Sequence, residues 1–399
     1  MNYLIFCSFE VGGLPFRMAE ILNRHGVKTF YISLEQGASG HDSTQFHYGD
    51  RCEDWDLSYM FTKGLSASKK INLLNQIRKE YDIFFCFATG NKAYLLEHAG
   101  INYKYWSYGS DLDQQCFAPV WPAGYAFWKK IIGYPYFIFT TRREQRKSVY
   151  CADSMMIAPY QIETCKTISP DKGLFFLPHF IKILDYPALV SKKEESRKDI
   201  CEKIQADYFF FSSSRHFWAG KKKALSDNKG NDIIIHSFAK YLRLSNAHMV
   251  KLILVEKGPD VDESKLLARN LGIDKFIVWI DEIRREELDK YYQGAAICFG
   301  QFGTPVITFT AIEPLSNATP CISFFKEKSS GIPFYKETPP IFNSNDPDKI
   351  ANVMSQTVMD RNNYDNLSHK AWLWAKNNCS EERFVESFLE VFSDKEAIK

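Results

Sequence analysis

One carboxylate stands in an apolar, helix-like run within QFGTPVITFTAIEPLSNATP, residues 301–320. A Gly/Thr/Pro loop precedes that acid, Glu313, and the apolar segment CISFF follows the stretch like a buried strand. Amides of such a loop and the positive end of a helix can hold an anion, while the acid can hold a sugar hydroxyl. The stretch therefore indicates a nucleotide-sugar site.

A second group of reactive residues lies in SSSRHFWAGKKKALSDNKGNDIIIHSFA, residues 212–239. Arg215 directly follows a predicted strand and Lys229 precedes a predicted helix, so both should lie at the carboxyl edge of one sheet. Two such cations can neutralise a diphosphate, and they stabilise it most as its bond to a sugar breaks. The alternative is a solvated basic loop, since the run 221–223 adds three lysines.

Strand-like and helix-like segments alternate in both halves of the chain, as in YLIFCS, then FRMAEILNRH, then VKTFYISL. A second series of this kind starts after the charged stretch VSKKEESRKDICEKIQ and includes the buried segments VKLILVEKG and KFIVWIDEI. Such alternation predicts doubly wound parallel sheets that bind ligands at the carboxyl ends of their strands. A length of 399 residues favours two domains.

Composition narrows the class of protein. Apolar residues make up 45% and charged residues 25%, as in soluble globular proteins, and the net charge of +2 argues against a nucleic-acid binder. The ten cysteines show no CxxC pair and no zinc-site spacing. Without a signal peptide or an apolar run of about 20 residues, we expect a cytoplasmic protein with reduced thiols.

Aromatic residues are concentrated in FAPVWPAGYAFWKKIIGYPY, residues 117–136, beside lysines and shortly before several arginines. Aromatic and basic side chains together can bind an anionic membrane surface. The alternative is an aromatic helical hairpin packed on its own core.

The order of segments in the second half resembles the carboxyl-terminal domain of family-4 glycosyltransferases. The resemblance rests on Arg215, on Lys-Gly-Asn-Asp (229–232), on LILVEKG, on EELDKYY and on the helix of Glu313. More loosely, VGGLPFRMAEILNRHGVKTFYISL resembles that family's Gly-Gly loop and first helix, and WAKNNCSEERFVESFLEVF its closing helix. The resemblance implies the GT-B fold, with two Rossmann-like domains facing across a central cleft. We expect an acceptor-side domain at 1–187, joined by the helix 380–399, and a nucleotide-sugar domain at 188–379.

The resemblance assigns roles to the charged residues. Arg215 and Lys229 would contact the donor diphosphate. Glu313 would correspond to the second acid of the family's Glu-x7-Glu motif, which holds the ribose. Counting back eight positions from that acid gives Pro305, which cannot make the first acid's sugar contact. Gln301 is the nearby amide that can bind the sugar instead.

Backbone groups of the donor site are implied in the same way. Gly12 and Gly13 would bring amides close to the phosphates, although an ordinary turn after a strand is the competing interpretation. The family's phosphate-binding turn aligns with the amides of Thr308, Phe309 and Thr310.

The catalytic and acceptor residues of the first domain are expected after the segment YKYWSYGSDL. Asp111 would orient the acceptor or a donor hydroxyl, with a helix N-cap as the alternative role. Trp106 and Tyr108 would line the acceptor site. His179 and His216 are expected to be structural.

The expected protein is a retaining, metal-independent hexosyltransferase that takes a UDP or GDP type sugar as substrate and needs no cofactor. Its acceptor would be a lipid-linked or cell-surface glycan in polysaccharide biosynthesis, at the inner face of the membrane, with no nucleic-acid partner. The alternative function is a catalytically weak scaffold that binds a nucleotide sugar. A dehydrogenase is disfavoured because no GxGxxG follows a strand, and an epimerase has weak support.

Overall fold

The structure is a computed structural model that describes residues 2–8, 13–34, 53–62, 64–107, 112, 116–117, 127–157, 161–220, 228–245, 248–326, 335 and 337–393. The chain divides into two compact units, Met1–Leu177 with Phe384–Lys399, and Pro178–Arg383. The predicted domain boundaries and the roles of the two domains stay predictions.

The described residues form two six-stranded sheets, and every strand pair in them is parallel. The first sheet has the order β2-β1-β3-β4-β5-β6 and the second β12-β11-β10-β7-β8-β9. The strands are β1 Asn2–Cys7, β2 Thr29–Ser33, β3 Ile83–Thr89, β4 Asn102–Trp106, β5 Ser154–Met156, β6 Gly173–Phe175, β7 Tyr208–Ser212, β8 Val250–Val255, β9 Ile277–Ile280, β10 Ile297–Phe299, β11 Cys321–Ser323 and β12 Ile341–Asn343.

Helices connect the strands in both units, and short 3-10 segments at Ser58–Met60 and Asp274–Phe276 and a π segment at Ile138–Arg142 supplement them. The α-helices are α1 Leu14–Arg24, α2 Ala67–Glu80, α3 Tyr94–His98, α4 Phe127–Phe137, α5 Arg143–Cys151, α6 Ile162–Ile168, α7 Tyr186–Ile204, α8 Asn231–Ser245, α9 Val261–Asn270, α10 Arg285–Gly294, α11 Phe309–Ser316, α12 Pro347–Met359, α13 Arg361–Cys379 and α14 Glu381–Ser393. The predicted parallel α/β architecture is confirmed.

The second sheet is covered on both faces, which explains the unbroken phenylalanine run of its central strand. Phe209, Phe210 and Phe211 are all fully buried. Phe210 packs among residues of α8, including Tyr241, whereas Phe211 contacts Tyr292 of α10 on the opposite face. Parallel strands buried on both faces need such continuous apolar runs.

The position of a ligand site follows from the strand order of this sheet. The chain order reverses between β7 and β10, which are hydrogen-bonded neighbours. Open α/β sheets bind ligands outside the carboxyl ends of the strands at such a reversal. The loops after β7 and β10 carry Arg215 and Gln301.

The last helix packs on the sheet of the first unit. The ring of Phe388 lies 5.3 Å from that of Tyr3 on β1, and the ring of Phe392 lies 5.5 Å from the same tyrosine. Phe388 also contacts Phe87 of β3. The last helix thus contributes buried rings to the core of the first unit.

We predict that Phe388→Ala lowers the stability of the protein by about 3–5 kcal/mol, because it removes a fully buried ring and leaves a cavity. Thermal unfolding of the full chain, followed by calorimetry, measures this effect. The neighbouring Leu389 is 38% exposed, so Leu389→Ala is the control and should change the melting temperature little. Equal effects of the two substitutions would contradict the packing described above.

Candidate functional site

Three segments of the second unit, namely the two ends of the loop between β7 and α8 and the loop after β10, meet at the carboxyl ends of β7 and β10. The backbone amide of Lys229 donates to the carbonyl of Phe217 at 2.8 Å, and the amide of Phe302 donates to the carbonyl of Lys229 at 2.9 Å. The segment around Lys229 is therefore held between the loop after β7 and the loop after β10.

Glycine is required where these loops approach each other. Gly230 has φ +66°, and a Cβ there would lie 2.8 Å from the amide nitrogen of Gly303 and 2.8 Å from Cβ of Phe302. Both the left-handed backbone and the lack of space favour glycine. The bare backbone lets Lys229 lie directly against the β10 loop.

Lys229 and Gln301 are in contact, and the sequence predicts both of them to bind the donor substrate. The ammonium of Lys229 donates to Oε1 of Gln301 at 3.1 Å. Gln301 is 3% exposed. Its backbone carbonyl accepts from Oγ of Ser323 at 2.8 Å, and its side-chain Nε2 donates to the carbonyl of Thr304 at 3.5 Å. The amide side chain is thus fixed at the end of β10 and orients the lysine.

Arg215 is exposed, and its guanidinium lies over the ring of Phe217, 5.4 Å from the centroid. The carbonyl of Phe217 is the group that binds the amide of Lys229. Both cations therefore lie on the same edge of the sheet, as expected for residues that bind a diphosphate.

Helix α11 begins after Thr308, in the segment that follows β10 and Gln301. The hydroxyls of Thr308 and Thr310 lie 2.9 Å apart, and the carbonyl of Thr308 accepts from the amide of Ala311. The ring of Phe309 packs against His179 at 4.6 Å. The helix itself supplies no acceptor for the amides of Phe309 and Thr310, which suit an anion.

Glu313 is 7% exposed and is bound on both of its oxygens. Arg285 forms an ion pair and a hydrogen bond with Oε1, and the hydroxyl of Tyr292 donates to Oε2 at 2.9 Å. Oγ of Ser213 lies 2.7 Å from the same tyrosine hydroxyl. The sequence does not indicate Arg285 and Tyr292 as partners of Glu313, because only folding brings α10 against α11.

A buried lysine, which the sequence does not indicate as part of the site, binds the carboxyl end of α11. Lys193 of α7 is 6% exposed and donates to the carbonyl of Ala318 and to Oγ1 of Thr319, each at 2.7 Å. Burial lowers the pKa of Lys193 from its ordinary value. A cation at the carboxyl end of a helix is favourable, and here it fixes the helix of Glu313 in place.

Two histidines near the site are neutral at pH 7. His216 is fully buried with Nδ1 2.8 Å from Oγ of Ser264, and burial lowers its pKa to about 4. Burial likewise lowers the pKa of His179, which is hydrogen-bonded to Tyr335, to about 4. Neither imidazole adds positive charge at this edge of the sheet.

Pro305 is buried, and its carbonyl accepts from the amide of Lys326 at 3.3 Å. No carboxylate stands at this place of the motif. Gln301 precedes it by four residues on the same loop, which keeps this amide as the candidate for the sugar contact.

The candidate residues of the first unit are only partly described. Trp106 is 9% exposed at the end of β4 and stacks on Phe87 at 5.8 Å. Gly13 has φ 72° and stands before α1. Gly12, Tyr108 and Asp111 lie outside the described residues, and the roles of all five stay predictions. Within the part of the chain that the structure describes, no group of three His, Cys, Asp or Glu could hold a metal ion.

Comparison with known proteins identifies the second half of the chain. Residues 218–374 match the family model described as glycosyl transferases group 1. This segment is a glycosyl transferases group 1 domain. It contains Lys229, Gln301, Arg285 and Glu313, and proteins of this group use nucleotide sugars as substrates. No curated protein matches the chain significantly in sequence.

Solved structures show the fold of the whole chain. A glycosyltransferase from Rickettsia africae ESF-5 superposes with a TM-score of 0.63 at 13% identity, over 100% of this chain and 99% of its own. Anabaena HepE, solved with UDP and glucose, gives 0.65 at 12% identity, over 98% and 99%. WaaG, a glycosyltransferase of lipopolysaccharide biosynthesis, gives 0.58 at 13%, over 99% and 100%. The predicted GT-B fold is confirmed, and the predicted resemblance to group 1 glycosyltransferases agrees with the family match over residues 218–374. Retention and family 4 stay predictions.

We predict that the pH dependence of stability reflects the buried histidine next to Arg215. The unfolded chain protonates His216 near pH 6.5, whereas the folded protein resists protonation down to about pH 4. Stability should therefore fall as the pH drops through this window, by at most ~1.4 kcal/mol per pH unit for this group. His216→Asn keeps a polar group that can hydrogen-bond with Ser264 but does not titrate.

Thermal melts of the full chain between pH 7 and pH 4 test this expectation. The variant should lose less stability than wild type over that range, although it starts less stable at pH 7. Parallel pH profiles of the two proteins would show that this imidazole is already solvated in the folded state.

Proposed function

We propose that this protein is a retaining glycosyltransferase that moves a hexosyl group from a UDP or GDP type donor to a hydroxyl group. The observation that carries the proposal is the contact of Lys229 with Gln301 at the strand-order reversal of the group 1 domain. Arg215 and the start of α11 follow strands that end at the same sheet edge. The nucleotide sugar is a substrate, and the proposed reaction uses no metal.

The two cations have a direct role in this reaction. As the bond from the sugar to the diphosphate breaks, negative charge grows on the leaving phosphate. Arg215 and Lys229 stabilise this charge more in the transition state than in the ground state. The acceptor hydroxyl attacks from the face that the diphosphate leaves, and a phosphate oxygen takes its proton. Asp111 is proposed to orient a hydroxyl of the acceptor or donor.

The remaining contacts with the donor substrate are proposed from the family resemblance. Glu313 binds the ribose, Gln301 binds the sugar in place of the missing acid, and the amides of Thr308, Phe309 and Thr310 bind phosphate. Gly12 and Gly13 are proposed to approach the phosphates from the first domain.

We propose a lipid-linked or cell-surface glycan as acceptor, bound near Trp106 and Tyr108 in the first domain. Large side chains on and after α4 are strongly exposed, with Trp128 and Phe139 each at 72%. None of the described helices is long and apolar enough to cross a membrane. We therefore propose that this aromatic surface binds the inner face of a membrane from the cytoplasm, and that no nucleic acid is a partner.

Pro305 favours one competing function. With the first motif acid absent, the protein would bind a nucleotide sugar and transfer it slowly or not at all, as a scaffold. Measured turnover of the donor separates this function from the enzyme.

We predict that Arg215→Ala and Lys229→Ala each lower kcat/KM for sugar transfer by about 100-fold or more, because each removes a fixed cation from the leaving diphosphate. The matched control is Lys203→Ala. Lys203 pairs with Asp199 on the surface of α7, shortly before β7 begins, and so lies near the opposite edge of the sheet.

A screen of UDP, GDP and their sugars by thermal shift identifies the donor before these assays, because a bound nucleotide stabilises the fold. If no nucleotide raises the melting temperature, the enzyme proposal fails. Binding without turnover, with wild type and Arg215→Ala alike in activity, would support the scaffold.

We predict that the protein co-sediments with vesicles that contain anionic lipid and that Trp128→Ser with Phe139→Ser reduces the bound fraction severalfold. Loss of two exposed aromatic rings removes the apolar part of the membrane contact. Tyr59→Ser is the control, since Tyr59 is 74% exposed elsewhere in the first unit. This surface would be ruled out as a membrane contact if the bound fraction depended neither on anionic lipid nor on the two rings.

A further inference from the structure

Helix α10 contacts both carboxylate oxygens of Glu313. Arg285 and Tyr292 are seven residues apart on α10, hence about 10 Å along the same helix face. Arg285 binds Oε1 and Tyr292 donates to Oε2. A carboxylate has about four lone-pair directions, so each oxygen keeps one direction for a ligand.

We propose that Arg285 and Tyr292 are positioning residues that aim Glu313 at the two vicinal hydroxyls of the donor's ribose. One hydroxyl binds each oxygen, so the pair of oxygens selects a cis-diol over a deoxyribose. This inference rests on the proposed function, and it adds the residues that make the site specific for ribose.

Charge explains why Arg285 matters. Glu313 is 7% exposed, and a buried carboxylate without a cation is strongly disfavoured. Without Arg285 the acid would turn towards water. It would then lose the arrangement of two acceptors that a diol needs.

Tyr292 sets the second oxygen and connects it to the diphosphate loop. Burial, together with the charge of Glu313, raises the pKa of Tyr292 well above its ordinary value, so the phenol keeps its proton. Since this proton goes to Glu313, Ser213 donates to the phenol oxygen at 2.7 Å. Ser213 lies two residues before Arg215, so a chain of hydrogen bonds links the ribose contact to the loop of the diphosphate contact.

Calorimetric titration of the full-length protein tests the proposal with UDP, GDP and their 2′-deoxy analogues as probes. Wild type should bind the ribonucleotide at least about tenfold more tightly than the deoxy analogue, as expected for a hydrogen bond to a charged group. Arg285→Gln should bring this ratio close to one, and Arg285→Lys should restore part of it. The neighbouring Arg284 is exposed, so Arg284→Gln is the charge-matched control and should keep the ratio.

A purely structural role of Arg285 would weaken binding of the ribo and deoxy forms equally and leave the ratio unchanged, which overturns the proposal. If Arg285→Gln does not fold, Tyr292→Phe gives the same comparison, because it removes only the hydroxyl that binds Oε2. A wild-type protein that binds neither UDP nor GDP would instead overturn the proposed function. Tight binding of both forms without preference would overturn this inference and the ribose contact of Glu313, but not the proposed sugar transfer.

Discussion

The second unit is organised around a carboxylate that is removed from water. Glu313 lies 7% exposed on a short helix, and a charge in this position requires partners that fold with it. Arg285 and Tyr292 provide them from α10, and Lys193 of α7 binds the carboxyl end of the same helix. Three helices are thereby fixed relative to one another by polar contacts rather than by apolar packing alone.

The loops that would bind the diphosphate are held by a different constraint, the close approach of their backbones. A Cβ at Gly258 would lie 2.3 Å from the carbonyl oxygen of His216, much as a Cβ at Gly230 would collide with the β10 loop. His216 is held by Ser264, and its neighbour Arg215 is thereby placed at the sheet edge. Close backbone contacts thus give the cations fixed positions, and fixed charges can stabilise a leaving group without reorganisation.

Much of the fold could be read from the sequence, because each element has a local signal. The run of Phe209, Phe210 and Phe211 predicts a buried strand by its composition alone, and strand–helix alternation predicts parallel sheets. The positions of Arg215 and Lys229 on the sheet edge follow from their place after a strand and before a helix. The hydrogen bond from Lys229 to Gln301 spans 72 residues and has no such signal.

Local patterns along the chain specify the class of architecture, the sheet edge at which such folds bind ligands, and the residue types at that edge. The pairing of these residues arises only when the chain folds. By sequence, Arg285 and Lys193 are ordinary charged residues of helical segments. In the fold, Arg285 pairs with Glu313, and Lys193 binds a carbonyl at the carboxyl end of the helix that carries Glu313. Residues on separate helices become partners only when the packing of the sheet sets the distance between those helices, and periodicity along the chain carries no information about that distance.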